Sequence, residues 1–212
     1  GNIGYMGPGL ALATLGAKAA APVALIFCFD TIFLFTTVPL LMVLTDGERR
    51  PVLPTIALVV KQILLHPLII ASYFGVLVAA FHVPVPVALD NTFQFLQSAA
   101  APVALFALGV TVALRPFERV PWEVPGVIAV KLILHPLIVL GLLLLLGPFP
   151  MEWAATALLL ASLPPALNVF VIARQYDTWI EPASTLVLIG TFVSVVTLTS
   201  VMWMIKNGVI FP

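Results

Sequence analysis

Apolar residues run along this chain in long stretches that short polar or proline-rich segments interrupt. A helix needs about 20 apolar residues to cross the roughly 30 Å hydrocarbon core of a bilayer, and most of these stretches reach that length. The pattern therefore predicts one partial membrane span and six full spans within residues 1–212. They lie near residues 1–16, 22–44, 53–80, 92–114, 124–146, 153–173 and 182–205.

Composition supports a membrane protein and excludes several other classes. Of the 212 residues, 62% are hydrophobic and 8% are charged, whereas an ordinary soluble domain has about 25% charged residues. Nine basic residues balance nine acidic ones, so the chain offers no positive field to bind nucleic acid. We expect an all-α, polytopic membrane protein whose surrounding partner is the lipid bilayer.

The distribution of arginines predicts the orientation of the spans. The positive-inside rule counts Lys and Arg in the short loops next to spans. Lys18 and Lys206 fall on one side of the membrane, and the arginines fall in the alternate segments. These are Arg49, Arg50, Arg115, Arg119 and Arg174. The arginine side is therefore predicted to be cytoplasmic, which places the C-terminus outside.

Two predicted spans contain helix-breaking residues near the middle of the bilayer. Gly7 and Pro8 interrupt the first segment, and Pro164-Pro165 divide the segment 153–173. Consecutive prolines leave carbonyls without partners, which hydrocarbon tolerates only where protein or a water-filled cavity covers them. In transporters built from inverted repeats, two broken helices cross at the substrate site. We therefore predict a substrate cavity at these breaks, with ordinary kinks between packed helices as the alternative.

Five ionisable residues inside predicted spans are candidates for proton or ion coupling. They are Asp30, Lys61, His66, Lys131 and His135. An acid within a span costs roughly 2.5–3.5 kcal/mol on insertion scales, so Asp30 is expected to face the bundle interior, either protonated or paired with Lys61 or Lys131. As alternatives, the lysines extend their ammonium groups to water, and each histidine bonds a carbonyl that the following proline leaves free.

The stretches with the helix breakers resemble the auxin efflux carrier family of secondary transporters, which includes bacterial malonate permeases. The resemblance rests on N-I-G-Y-M-G-P-G-L at 2–10 and on L-P-P-A-L-N-V-F-V-I-A-R-Q-Y at 163–176. These stretches are similar to the family's fourth and ninth helices. The resemblance implies a ten-helix inverted-repeat fold with crossed broken helices. In that fold this chain is the C-terminal portion of the transport domain, and three helices precede residue 1.

The two breaks and this resemblance together predict the substrate site. Its residues are Asn2, Gly7, Pro8, Pro164, Pro165 and Asn168. Asn2 matches the asparagine that contacts a carboxylate in relatives, whereas the Pro-Pro pair departs from the Pro-Gln of plant members. The expected function is transport of a small organic anion such as malonate by alternating access, across the bacterial inner membrane. No catalytic residue, cofactor or bound metal is expected.

The sequence lacks the motifs of membrane enzymes, but it leaves two other classes of membrane protein open. Membrane-bound transferases and proteases need motifs such as Asp-x-x-x-Asp, G-x-S-x-G or H-E-x-x-H, and none occurs in the sequence. A sodium-coupled carrier of the bile-acid or sodium/proton-antiporter type also contains broken helices, so it is the second hypothesis. A channel or receptor is a third. The choice between proton and sodium and the question of a homodimer are left open.

Overall fold

A computed structural model describes residues 1–45, 61, 64–65, 67–113 and 120–211 of the chain. Every regular element in these ranges is helical, which confirms the predicted all-α class for the described residues. In chain order the elements are α1 (Gly7–Leu15), a 3-10 turn (Ala17–Ala19), α2 (Ala20–Thr45), α3 (Pro67–Ala80), α4 (Val87–Ala113), α5 (Val124–Ala129), a π-helical turn (Val130–Leu134), α6 (His135–Leu146), α7 (Met151–Ala161), α8 (Leu167–Gln175) and α9 (Ile180–Lys206).

Three helical segments in the described ranges are long and apolar enough to cross a membrane. They are Ala17–Val38, Val124–Leu146 and Ile180–Lys206. The second has 23 residues and is about 35 Å long at 1.5 Å per residue, which matches the hydrocarbon core. Large apolar side chains such as Leu145 and Val196 are exposed on these helices, as expected for contact with lipid. The remaining predicted spans stay predictions, and part of 53–80 lies outside the described residues.

The chain divides into two compact units. The larger unit comprises residues 1–23 and 94–212, and the smaller comprises residues 24–93. In the larger unit, Leu159 and Leu160 of α7 are among the largest fully buried side chains. Helices α1 and α6 both pack against α7, and α9 packs against α5 and α8. The proline break that follows α7 therefore lies among α1, the helix 124–146 and α9.

Two polar contacts mark opposite ends of the larger unit. Lys18 Nζ lies 3.1 Å from Glu152 Oε1, where α1 has ended and α7 begins. The indole N–H of Trp179 donates to Glu123 Oε1 at 3.3 Å, where α9 and α5 begin. The continuous helix 124–146 runs from the second contact toward the first. The segments in contact are therefore those predicted to share a side of the membrane, and which side is cytoplasmic stays a prediction.

Candidate functional site

The segment predicted as one span at 153–173 consists of two half-helices. Helix α7 ends at Ala161 and α8 begins at Leu167, with both prolines in the connection. Proline lacks an N–H donor and clashes with the preceding turn, so the helix cannot continue through the pair. The hydroxyl of Ser162 donates to the Leu158 carbonyl at 2.8 Å and closes the end of α7. The interruption lies where the double proline predicts it.

The first segment begins with an irregular stretch, and Pro8 lies where this stretch passes into helix α1. The N–H groups of Met6 and Gly7 donate to the carbonyls of Asn2 and Ile3 at 3.1 Å, forming one turn. Helix α1 begins at Gly7, with Pro8 in its first turn. Proline is tolerated there because a first-turn N–H has no partner within the helix. Pro8 therefore opens the half-helix α1.

The two irregular segments meet in the structure. The main-chain N–H of Asn2 donates to the carbonyl of Pro164 at 2.8 Å. Both residues are buried, Asn2 with only 1% of its surface exposed. A Cβ atom on Gly7 would lie 2.9 Å from the Leu160 side chain, so α1 also packs closely against the end of α7. Four of the predicted site residues, Asn2, Gly7, Pro164 and Pro165, thus lie at one crossing.

Helix α9 approaches the same break through a glycine. A Cβ atom on Gly190 would lie 2.8 Å from Cδ of Pro165, well inside the 3.5–4.0 Å that carbon atoms prefer. Only a glycine lets α9 lie against this proline ring without displacement. Gly190 follows the stretch that carries the family resemblance, but it was not among the predicted site residues.

The side chain of Asn2 is the most unusual polar group at the crossing. Its Oδ1 and Nδ2 are both buried, and neither has a hydrogen-bond partner among the described residues. The hydroxyl of Thr156 on α7 is likewise buried without a partner there. An unpaired buried polar group costs about 1–3 kcal/mol, so such a group requires an explanation. A polar ligand that enters the crossing would supply the missing partner for Asn2.

Lys131 and His135 contact the break from the helix 124–146. Lys131 Nζ lies 2.7 Å from the Ala161 carbonyl oxygen, and His135 Nδ1 lies 3.0 Å from the same oxygen. The two nitrogens are 3.2 Å apart. The alternative predicted for His135 was a bond to a carbonyl that Pro136 leaves free in the same helix. The contact in the structure is a different one. The carbonyl that the ring meets belongs to α7.

The remaining predicted site residues are Asn168, Asp30, Lys61 and His66. Asn168 is half-buried in the first turn of α8, which begins without a side-chain cap. Asp30 is half-buried on α2 and Lys61 is exposed, both in the smaller unit. The expectation that Asp30 is either protonated or paired with Lys61 or Lys131 stays a prediction. His66 lies outside the described residues.

Comparison with known proteins points to transport. A family model described as "Membrane transport protein" matches residues 9–202. A protein of Rhizobium meliloti (strain 1021) named "Putative malonate transporter" is 46% identical over 208 residues, which cover 98% of this chain and 65% of that protein. The chain is also similar to "Uncharacterized transporter YfdV" of Escherichia coli (strain K12), with 28% identity over 155 residues, 72% of this chain and 46% of that protein.

A plant protein is similar to this chain over a shorter stretch. "Auxin efflux carrier component 6" of Arabidopsis thaliana is 31% identical over 117 residues, which cover 54% of this chain and 20% of the plant protein. The chain thus spans less than two thirds of the length of each of these curated relatives.

Proposed function

The chain belongs to the membrane transport protein family, and on that basis we propose that it is part of an alternating-access carrier for a small organic anion. The family membership and the relatives confirm the resemblance to auxin efflux carriers. They also confirm the prediction that the protein is a multi-pass transport protein and not an enzyme. The proposed substrate class is a carboxylate, with malonate as the first candidate. The bacterial inner membrane is the proposed location.

The buried, unpartnered side chain of Asn2 is the observation that carries the proposal. The main-chain bond to Pro164 holds the backbone of Asn2 at the break, so its buried side-chain amide lies at the crossing. Its Nδ2 offers two N–H donors, and an ionised carboxylate is an acceptor with two oxygens. A carboxylate at this point would turn an unpaired buried amide into a paired one.

The half-helices add electrostatic support for an anion. Helix α8 begins three residues after Pro164, and no side-chain cap occupies its N-terminus. The N-terminus of a helix carries roughly half a positive charge on unpaired N–H groups, and it therefore favours an anion. A site made of an amide and a helix end would bind a carboxylate without requiring an arginine or a metal ion.

The choice of malonate rests on similarity. The relative named as a malonate transporter is similar to this chain over nearly its whole length. Malonate carries two carboxylates, so it would engage two sets of donors at a crossing of two half-helices. Acetate, with one carboxylate, is the natural comparison compound.

Counterflow tests the proposal. Proteoliposomes containing the full-length protein are loaded with unlabelled malonate and diluted into a trace of labelled malonate. A carrier returns label against outflowing substrate, so internal label should rise transiently above its equilibrium level, and loading with acetate should produce a smaller overshoot. A channel lets the label equilibrate without an overshoot, and that result would contradict the proposal. Absence of uptake for both compounds would contradict the substrate class.

A further inference from the structure

We infer that the ammonium group of Lys131 occupies the place at the proline break that a sodium ion occupies in sodium-coupled carriers. It does so by binding the carbonyl at the end of α7. The inference rests on the proposed carrier function and adds to it that sodium is not the coupling ion. In sodium-coupled transporters, unwound carbonyls and the C-terminal ends of half-helices coordinate the ion. In this chain the end of a half-helix is bound by a side chain of the protein itself.

The acceptor exists because of Pro165. In a continuous helix the carbonyl of Ala161 would accept the N–H of residue 165, four positions later. Residue 165 is a proline and has no N–H, so this carbonyl is left without its helical partner. It also lies at the last residue of α7, where the helix dipole is negative. This carbonyl is therefore a site that attracts a cation.

A local irregularity of the neighbouring helix places Lys131 next to that carbonyl. Pro136 cannot donate an N–H, and the N–H of His135 donates to Val130, five residues earlier, within the π-helical turn. Lys131 and His135 are four residues apart, so their side chains lie on one face of the helix. Single π-helical turns are frequently found at functional sites. Here the turn brings both side chains to the Ala161 carbonyl.

The position of Lys131 differs from that of the other described lysines. Lys18, Lys61 and Lys206 are exposed, whereas Lys131 is half-buried and its Nζ lies 2.7 Å from Ala161. A charged ammonium has three donors, so it can donate to both the carbonyl and Nδ1 of His135, with the ring proton on Nε2. A sodium ion at the same carbonyl would be repelled by this charge. Lys131 is thus a positioning residue that stabilises the break and removes the need for sodium.

The experiment compares sodium with choline at equal ionic strength in the full-length protein. Initial malonate uptake and the thermal unfolding midpoint are measured for the wild type, Lys131→Met, Lys131→Arg and the matched control Lys206→Met. Wild type and Lys206→Met should give the same uptake and midpoint in both salts. Uptake by Lys131→Met should fall by about 10-fold or more, as expected for one lost charge-assisted hydrogen bond, and Lys131→Arg should recover most of it.

Two results would overturn the inference. One is wild-type uptake or unfolding that depends on sodium, and the other is a Lys131→Met protein with wild-type uptake and midpoint. If Lys131→Met does not fold, Lys131→Arg and the sodium response of the wild type still decide the question. If the wild type transports no malonate, the proposed function fails. The midpoints then test Lys131 separately, since Lys131→Met should unfold at a lower temperature than Lys206→Met in either salt.

Discussion

The main-chain N–H of Asn2 and the carbonyl of Pro164 form a hydrogen bond of 2.8 Å that joins the start of the chain to the double-proline break. In a continuous helix this carbonyl would accept the N–H of Asn168. The break frees it, and Asn2 takes the place of the helical donor. The two irregular segments therefore form one structural unit, so a change in either is expected to affect the other.

Gly190→Ala is predicted to destabilise the protein and disturb the break. The added methyl group would lie 2.8 Å from the rigid ring of Pro165, so either α9 or the break must move. Overpacking of this kind typically costs about 1–3 kcal/mol. The thermal unfolding midpoint and the initial rate of uptake should both fall.

Gly141→Ala is the matched control for that change. A Cβ atom at Gly141 meets no atom within 4 Å, and alanine is favoured over glycine within a helix by up to about 1 kcal/mol. This variant should be as stable as the wild type or slightly more so. Equal behaviour of Gly190→Ala and Gly141→Ala would show that α9 does not need a glycine at the break.

Asp30→Asn is predicted to remove transport or its pH dependence while leaving the protein folded. The amide keeps the shape of the carboxyl group but cannot exchange a proton, and an acid within a span is usually functional. Uptake is measured from acid to neutral pH, with Asp177→Asn as the control, because Asp177 is exposed in the turn after α8. Wild-type uptake by Asp30→Asn at every pH would assign Asp30 to packing alone.

The orientation of the spans is testable by cysteine labelling. Cys28, the one cysteine of this sequence, and any cysteine elsewhere in the full-length protein are first replaced by serine. In that background Lys18→Cys should react with an impermeant thiol reagent only from outside, and Thr178→Cys only from the cytoplasmic side. Both positions are exposed, and the arginine distribution assigns them to opposite faces. Labelling of both from one face would contradict the predicted topology.

The positions of the helix breaks could be predicted from the sequence, because they depend on local chemistry. Two consecutive prolines stop a helix wherever they occur, so Pro164 and Pro165 were sufficient to locate the gap between α7 and α8. Pro8 was harder to interpret, since a proline opens a helix as readily as it interrupts one. The structure places Pro8 in the first turn of α1, after a hydrogen-bonded turn.

The partners of the site residues could not be predicted, because they depend on packing between helices. The spacing of Lys131 and His135 indicates that they share a helix face, but it does not identify the carbonyl of Ala161, 30 residues from Lys131, as the acceptor of the ammonium group. The contact of Gly190 with Pro165 could not be predicted for the same reason. The expected partners of Asp30, which are Lys61 and Lys131, were chosen by charge alone, and its pairing stays a prediction.

Binding of malonate to the crossing is the central claim, and Asn2→Leu separates binding from folding. Leucine is close to asparagine in size and removes two unpaired buried polar atoms, so the variant should be at least as stable as the wild type without ligand. Asn207→Leu makes the same chemical change at an exposed position at the end of α9 and serves as the control.

The most direct measurement is the rise in the thermal unfolding midpoint that malonate produces in the purified full-length protein. A ligand at about 100 times its Kd stabilises the folded state by about 2.7 kcal/mol, which is a measurable shift. Wild type and Asn207→Leu should show this shift, and Asn2→Leu should show little or none at the same malonate concentration. An equal shift in all three proteins, or no shift in the wild type, would contradict a carboxylate site at the crossing of Asn2 and Pro164.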